Sequence, residues 1–198
     1  MELSKHRFES FSDGVMAIII TIMVLEIPIP KDFTFESILS FLYFIFIFFV
    51  SFFIVGSFWN KHHFLIDKID KITNKLTWKN LVFLFFLALL PIFTKWVLEY
   101  PTEIVPVLAY DILYILVYTS YFQLFNEAVK ENGLERPHGH EGSETNRHFL
   151  LLFSLLIIFI ISFFIFPEIS IILFMGFPVL FALLNLLFED RRFLGRKR

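Results

Sequence analysis

The chain has 198 residues, of which 57% are hydrophobic and 30 are phenylalanine, with a formal net charge of -2 and a mean hydropathy of +0.73. That composition is far from a soluble domain and places the chain in a lipid bilayer. It contains no cysteine, which excludes disulfides, thiolate metal sites and cysteine nucleophiles; the small net charge conceals charges segregated by position, and no nucleic-acid partner is expected.

In chain order, apolar windows predict six membrane spans over 8–27, 35–59, 78–98, 104–125, 149–166 and 169–188, within the range of lengths expected of membrane-spanning helices. The expected fold is an all-α membrane protein, a single six-helix domain over 1–198. Pro28 and Pro30 end the first span, Pro101 and Pro106 bracket the turn between the third and fourth, and Pro167 separates the last two, where a missing backbone donor is tolerable. Two connections, 61–79 and 126–147, are longer and charged. The N-terminus, these two connections and the tail carry two, five, three and five Lys or Arg, against Lys31 and Lys95 on the other side. By the positive-inside rule both termini face the cytoplasm of a multi-pass protein in the cell membrane. The N-terminus lacks a small-residue cleavage site, so the first span is expected to stay in the mature protein.

The first span, FSDGVMAIIITIMVLEI over 11–27, has only twelve uncharged residues between Asp13 and Glu26. As a helix they cover about 18 Å, well short of the hydrocarbon core. A charge at the centre of a lipid-facing helix costs about 2.5 to 3.5 kcal/mol, so Asp13 needs protein or water around it and a partner, of which Arg7 is the nearest candidate. On a 100° wheel Gly14, Ile18, Thr21 and Leu25 form one stripe, and Asp13 lies about 140° from Ile18. Asp13 and Ser12 therefore point to buried contacts, whereas the stripe can meet its own copies around an axis. Ordinary helix packing also accounts for such a stripe, with the Thr21 hydroxyl returned to the carbonyl of Ala17.

The segment RFESFSDGVMAIIITIMVLEI, with Arg7 four residues before Phe11-Ser12-Asp13, closely resembles the first-helix signature of the lysosomal potassium channel family and its bacterial relatives. FWNKHHF over 58–64 and WKNLVFLFFLALLPIFT over 78–94 are similar to that family's second and third helices. The resemblance covers roughly the first 100 residues. It implies a potassium pathway lined by the first helix, with Ile18 as the constriction, Leu25 as a further apolar ring and Thr21 contributing to selectivity. The offset of Asp13 from the stripe suits a structural polar cluster of Arg7, Ser12 and Asp13 with Phe11, not an ion-binding ring, and the resemblance implies that His62 and His63 join it through hydrogen bonds. Single-repeat bacterial members are tetramers, and this chain has one FSD motif, so a homotetramer in the lipid bilayer, conducting K+ without a cofactor or resident metal, is the expected assembly.

Other polar residues have plainer readings. His63 and Asp67 have the i,i+4 spacing of a metal pair, but two ligands are too few. His138, His140 and Glu141 lie in a polar loop; Lys95 is expected to snorkel outward beside Trp96. Asp111 is open between a helix contact and a vestibule, and Trp59 and Trp78 between an interfacial belt and a contact to the FSD region. A proton- or cation-coupled transporter is the alternative function. A membrane hydrolase would need a nucleophile or metal constellation at one depth, which only His62 and His63 approach, so no enzymatic activity is expected.

Overall fold

The computed structural model describes residues 4–100 and 103–133. Within them every regular element is helical: α1 Lys5–Leu25, α2 Phe35–Asp67, α3 Asn74–Ala88, α4 Leu90–Glu99 and α5 Ile104–Asn132. Four helical segments, with α3 and α4 counted as one from Asn74 to Glu99, are long and apolar enough to cross a membrane. They correspond to the first four expected spans. The spans expected over 149–166 and 169–188, with His138, His140 and Glu141, lie outside the described residues.

Hydroxyl side chains start the first three helices. Ser4, Thr34 and Thr73 each accept a hydrogen bond from the backbone N–H three residues on, satisfying one of the donors a helix N-terminus leaves open. Ahead of α2, Asp32 accepts from both the backbone and the hydroxyl of Thr34; bonds from the Ser37 and Thr34 hydroxyls hold its carboxyl below the usual range. α5 ends at Gly133, whose φ of 60° closes the last turn in the left-handed conformation that glycine adopts without strain.

Two boundaries differ from the sequence expectation. α2 runs on through Lys61–His62–His63 to Asp67, 33 residues in all, or about 50 Å; most of the expected 61–79 connection is therefore helical, and only 68–73 joins α2 to α3. Hydropathy cannot mark such an end, because a helix leaving the bilayer becomes polar while its backbone bonds continue. The third span is broken at Leu89, where the N–H of Leu89 bonds the carbonyl of Phe86 at 3.2 Å and α4 restarts with Pro91 in its first turn. Proline supplies no donor and resets the helix there.

The core is apolar and aromatic. Phe58 of α2, Phe83 of α3 and Tyr121 of α5 meet with ring centroids 5.5 to 5.7 Å apart, tying three helices at one level. At another level the buried Ser51 hydroxyl lies 3.2 Å from the carbonyl of Ile47 and 3.0 Å from each of the Thr94 and Tyr110 hydroxyls. A hydroxyl has one donor and two acceptor sites, so the arrangement closes when Ser51 donates to Ile47 and accepts from the other two. α2, α4 and α5 are thereby joined where water cannot compensate.

Ser51→Ala removes these bonds and leaves Thr94 and Tyr110 without their shared partner. The loss should be about 1–3 kcal/mol, seen as a lower thermal midpoint of the detergent-purified protein. Ser57→Ala, which removes only a bond within α2 to the carbonyl of Ile54, should change the midpoint little; equal shifts would mean that the three-helix node is not a stabilising contact.

Candidate functional site

The first helix has two faces that the sequence stripe separates. Phe8, Ser12, Met16, Ile19 and Met23 are buried against the rest of the chain. Arg7, Phe11, Gly14, Ile18, Thr21 and Leu25, spaced 4, 3, 4, 3 and 4, are exposed. The contrast between neighbours is steep: Ile18 is 58% exposed and Ile19 3%. Leu25 is 82% exposed, and a Cβ added at Gly14 would meet nothing within 4 Å. The Thr21 hydroxyl donates to the carbonyl of Ile18 at 2.9 Å, three residues back, and not to Ala17. Its oxygen keeps its acceptor sites toward the open side.

Behind this face the expected polar residues fall into three groups. In the first, His62 of α2 is fully buried, stacks against both Phe8 and Phe83, and its Nε2 lies 3.0 Å from Oδ1 of Asn80 in α3. The Asn80 amide donates to the Ser12 hydroxyl at 2.9 Å, and Ser12 donates to the carbonyl of Phe8 at 3.0 Å. This relay fixes the proton on Nε2 of His62 and joins three helices; Nδ1 of His62 is buried without a partner. In the second group, Asp13 accepts from the Trp59 indole N–H at 2.9 Å. Its partner is thus Trp59 and not Arg7, and the contact of Trp59 to the FSD region is the one that forms. In the third, His63 stacks on Trp59, and its ring nitrogens lie 3.3 Å from the Glu9 carboxylate and 3.5 Å from that of Asp67. Arg7 and Phe11 stand outside these groups. Among the described residues Arg7 makes no ion pair, and both it and Phe11 lie on the exposed face.

Glu9, His63 and Asp67 are the one cluster of three carboxylate or imidazole donors among the described residues. The single imidazole lies between the two carboxylates, within 3.3 Å of Glu9 and 3.5 Å of Asp67, a contact that links α1 and α2. At the other end of α1, Glu26 pairs with Lys95 of α4 at 2.8 Å. Lys95 therefore does not simply snorkel outward. Asp111 is buried, with Oδ2 lacking a hydrogen-bond partner; it is a helix-packing position within the described chain.

Asn80, Glu9 and the Glu26–Lys95 pair were not foreseen from the sequence. A signal existed for Asn80, the one amide in the apolar window 78–98, since a lone amide at membrane depth demands a partner. Nothing in the sequence pairs Glu26 with Lys95, because 68 intervening residues must fold first.

The sequence model of the family described as endosomal/lysosomal potassium channel TMEM175 matches residues 7–91, which hold most of the two-faced helix and the His62–Asn80–Ser12 and Asp13–Trp59 contacts behind it. A Chryseobacterium protein (strain P1-3) named as a potassium channel is 39% identical over 131 residues, covering 66% of this chain and 68% of that protein. The chain belongs to the TMEM175 family as a bacterial member. A potassium channel of Streptomyces collinus is 32% identical over 108 residues, 49% of each protein. In fold, the chain is similar to the crystal structure of a lysosomal potassium-selective TMEM175 homolog from Chamaesiphon Minutus, with a TM-score of 0.68 and 23% identity over 90% of this chain and 96% of that one. The TMEM175 relatives are thus named as potassium channels, a non-enzymatic class of membrane protein.

Replacing Asn80 with Leu keeps the bulk but strands the buried Ser12 and His62 groups, at a cost of about 1–3 kcal/mol. Trp59→Phe removes only the donor to the half-buried Asp13, which water can partly replace, so it should cost less. Thermal unfolding of the two purified variants checks the order; a larger loss from Trp59→Phe would show that the buried relay is not the main support of α1.

Proposed function

We propose that the chain forms a homotetrameric, potassium-preferring cation channel in the cell membrane, with the exposed face of α1 lining the central pathway. The observation that carries this reading is the contrast along α1: Gly14, Ile18, Thr21 and Leu25 are exposed while Met16, Ile19 and Met23 are buried in their own chain. A single helix cannot enclose a pathway, and four copies about an axis can. Ile18 and Leu25 from each copy then form apolar constrictions, closed to an ion when narrow because the ion cannot shed its water without compensation, and open when widened and wetted. The Thr21 oxygens, whose protons are spent on the Ile18 carbonyls, present acceptor lone pairs to a passing cation. Arg7, Phe11, Ser12, Asp13, His62 and His63 serve position and assembly in this reading, and orientation follows the Lys and Arg distribution, with both termini cytoplasmic. No cofactor enters the mechanism.

A coupled transporter is favoured by one observation, the buried Asp111 of α5, whose Oδ2 lacks a hydrogen-bond partner among the described residues. Flux and single-channel recording from the purified protein in liposomes separates the two. Large unitary potassium currents support the channel, and slow saturable turnover supports the transporter.

Substitutions at two positions of the exposed face, with a buried neighbour as control, sharpen the test. Ile18→Asn widens and hydrates the constriction, so it should leak cations with weakened selectivity, and more than Ile18→Ala, which enlarges the opening but keeps it apolar. Ile19→Asn places an amide in the buried core and should destabilise by about 2 kcal/mol or more without a leak. Equal leaks at 18 and 19 would place the pathway elsewhere. Thr21→Val keeps the shape and removes the oxygen; the potassium-to-sodium permeability ratio, measured from reversal potentials, should fall while conduction persists.

A further inference from the structure

The end of α1 remote from Arg7 is held by an arrangement that the constriction reading does not use. Glu26 continues the buried stripe Ser12, Met16, Ile19 and Met23 in steps of 4, 3, 4 and 3, whereas Leu25, one residue earlier, ends the exposed stripe. Beyond Met23 no residue is buried until the chain has turned through Pro28 and Pro30 into α2. Among the described residues, the 2.8 Å contact of Glu26 with Lys95 is the one side-chain ion pair or hydrogen bond joining residues 24–31, other than through their backbone, to the rest of the chain. Lys95 is itself on a firm base. Its neighbour Thr94 is buried and bonded to Ser51 of α2, which also bonds Tyr110 of α5.

We propose that the Glu26–Lys95 pair is a positioning device: it draws the end of α1 toward α4, away from the exposed face, and so sets how far the four Leu25 side chains stand from the axis. This deepens the proposed function and rests on the reading that the exposed face of α1 lines the pathway. An ion pair suits the task. The two side chains are partly exposed, so the attraction is modest, but it acts at the free end of a helix, where a small force produces the largest displacement at Leu25 and the least elsewhere. With the pair lost, the helix ends lean inward, the apolar Leu25 side chains approach one another and conduction falls.

The test uses the full chain reconstituted in liposomes, with tetramer content and thermal midpoint measured for every variant. Glu26→Gln and Lys95→Met should each lower the unitary potassium current, by roughly two- to fivefold for an exposed pair of ordinary strength. The double variant should fall no further than either single one, and Lys95→Arg, which keeps the pair, should restore the parent current. Leu25→Ala should raise the current and make it insensitive to Lys95→Met, an effect that loss of stability alone would not produce. Unchanged currents in the single variants, or losses that multiply in the double variant, would overturn the positioning role while leaving the constriction intact. A current unmoved by Leu25→Ala would instead overturn the constriction reading at Leu25, and the positioning role with it. Should the neutral variants fail to assemble, the charge exchange Glu26→Lys with Lys95→Glu carries the same test, recovery of current relative to either exchange alone supporting the pair and further loss overturning it.

Discussion

A hydroxyl, amide or carboxylate buried at membrane depth has no water to turn to, and leaving it unpartnered inside the protein is costly. In this chain that cost decides which helices touch. Ser51 meets Thr94 and Tyr110, and Ser12 meets Asn80 and through it His62. Apolar contacts between membrane helices are nearly exchangeable with lipid contacts and do not by themselves select one arrangement. The two polar nodes do, because a helix rotated by one residue would leave several groups unpartnered at once. Between them α2 is fixed against four other elements at two levels, and the Phe58, Phe83 and Tyr121 rings fill the space in the middle.

Once α2 and α3 are set, α1 has only one face left to bury. Ser12 must reach Asn80, which turns Met16, Ile19 and Met23 inward and leaves Ile18, Thr21 and Leu25 outward. The exposed face is thus a consequence of a hydrogen bond on the opposite side of the helix. Arg7 and Phe11 continue that same outward face, so the FSD motif is divided: its serine and aspartate serve the chain's own packing, and its phenylalanine faces outward beside the stripe.

The stripe on α1 could be read from the sequence because a period of 3.6 is local and because lone polar residues stand out among aliphatics. The offset of Asp13 from Ile18 was readable for the same reason. Its partner was not: Arg7 is near in sequence, while Trp59 is near only after α1 and α2 have packed. The length of α2 was hidden by Lys61 and Asp67, which look like a loop to any hydropathy window but sit on a helix already outside the apolar region. Asn80 could have been singled out as an amide that needs a partner, yet which partner depends on the register between α1 and α3, a property of the assembled helices.

Asp13 and Glu26, the C-cap of α1, are separated by 13 positions, which is about 20 Å along the axis and about 140° around it. Asp13 is tied to Trp59 of α2 and Glu26 to Lys95 of α4, so the helix is held near both ends by different neighbours in different directions. A single tie would fix a point and leave the helix free to roll about it; two ties at different heights and angles fix the roll as well. That matters here because a roll of about 100° would exchange Ile18 for Ile19 on the outward face. The short apolar run between the acids, which is out of place for a helix surrounded by lipid, is explained by ties placed at membrane depth on a helix that contacts its own chain along one side.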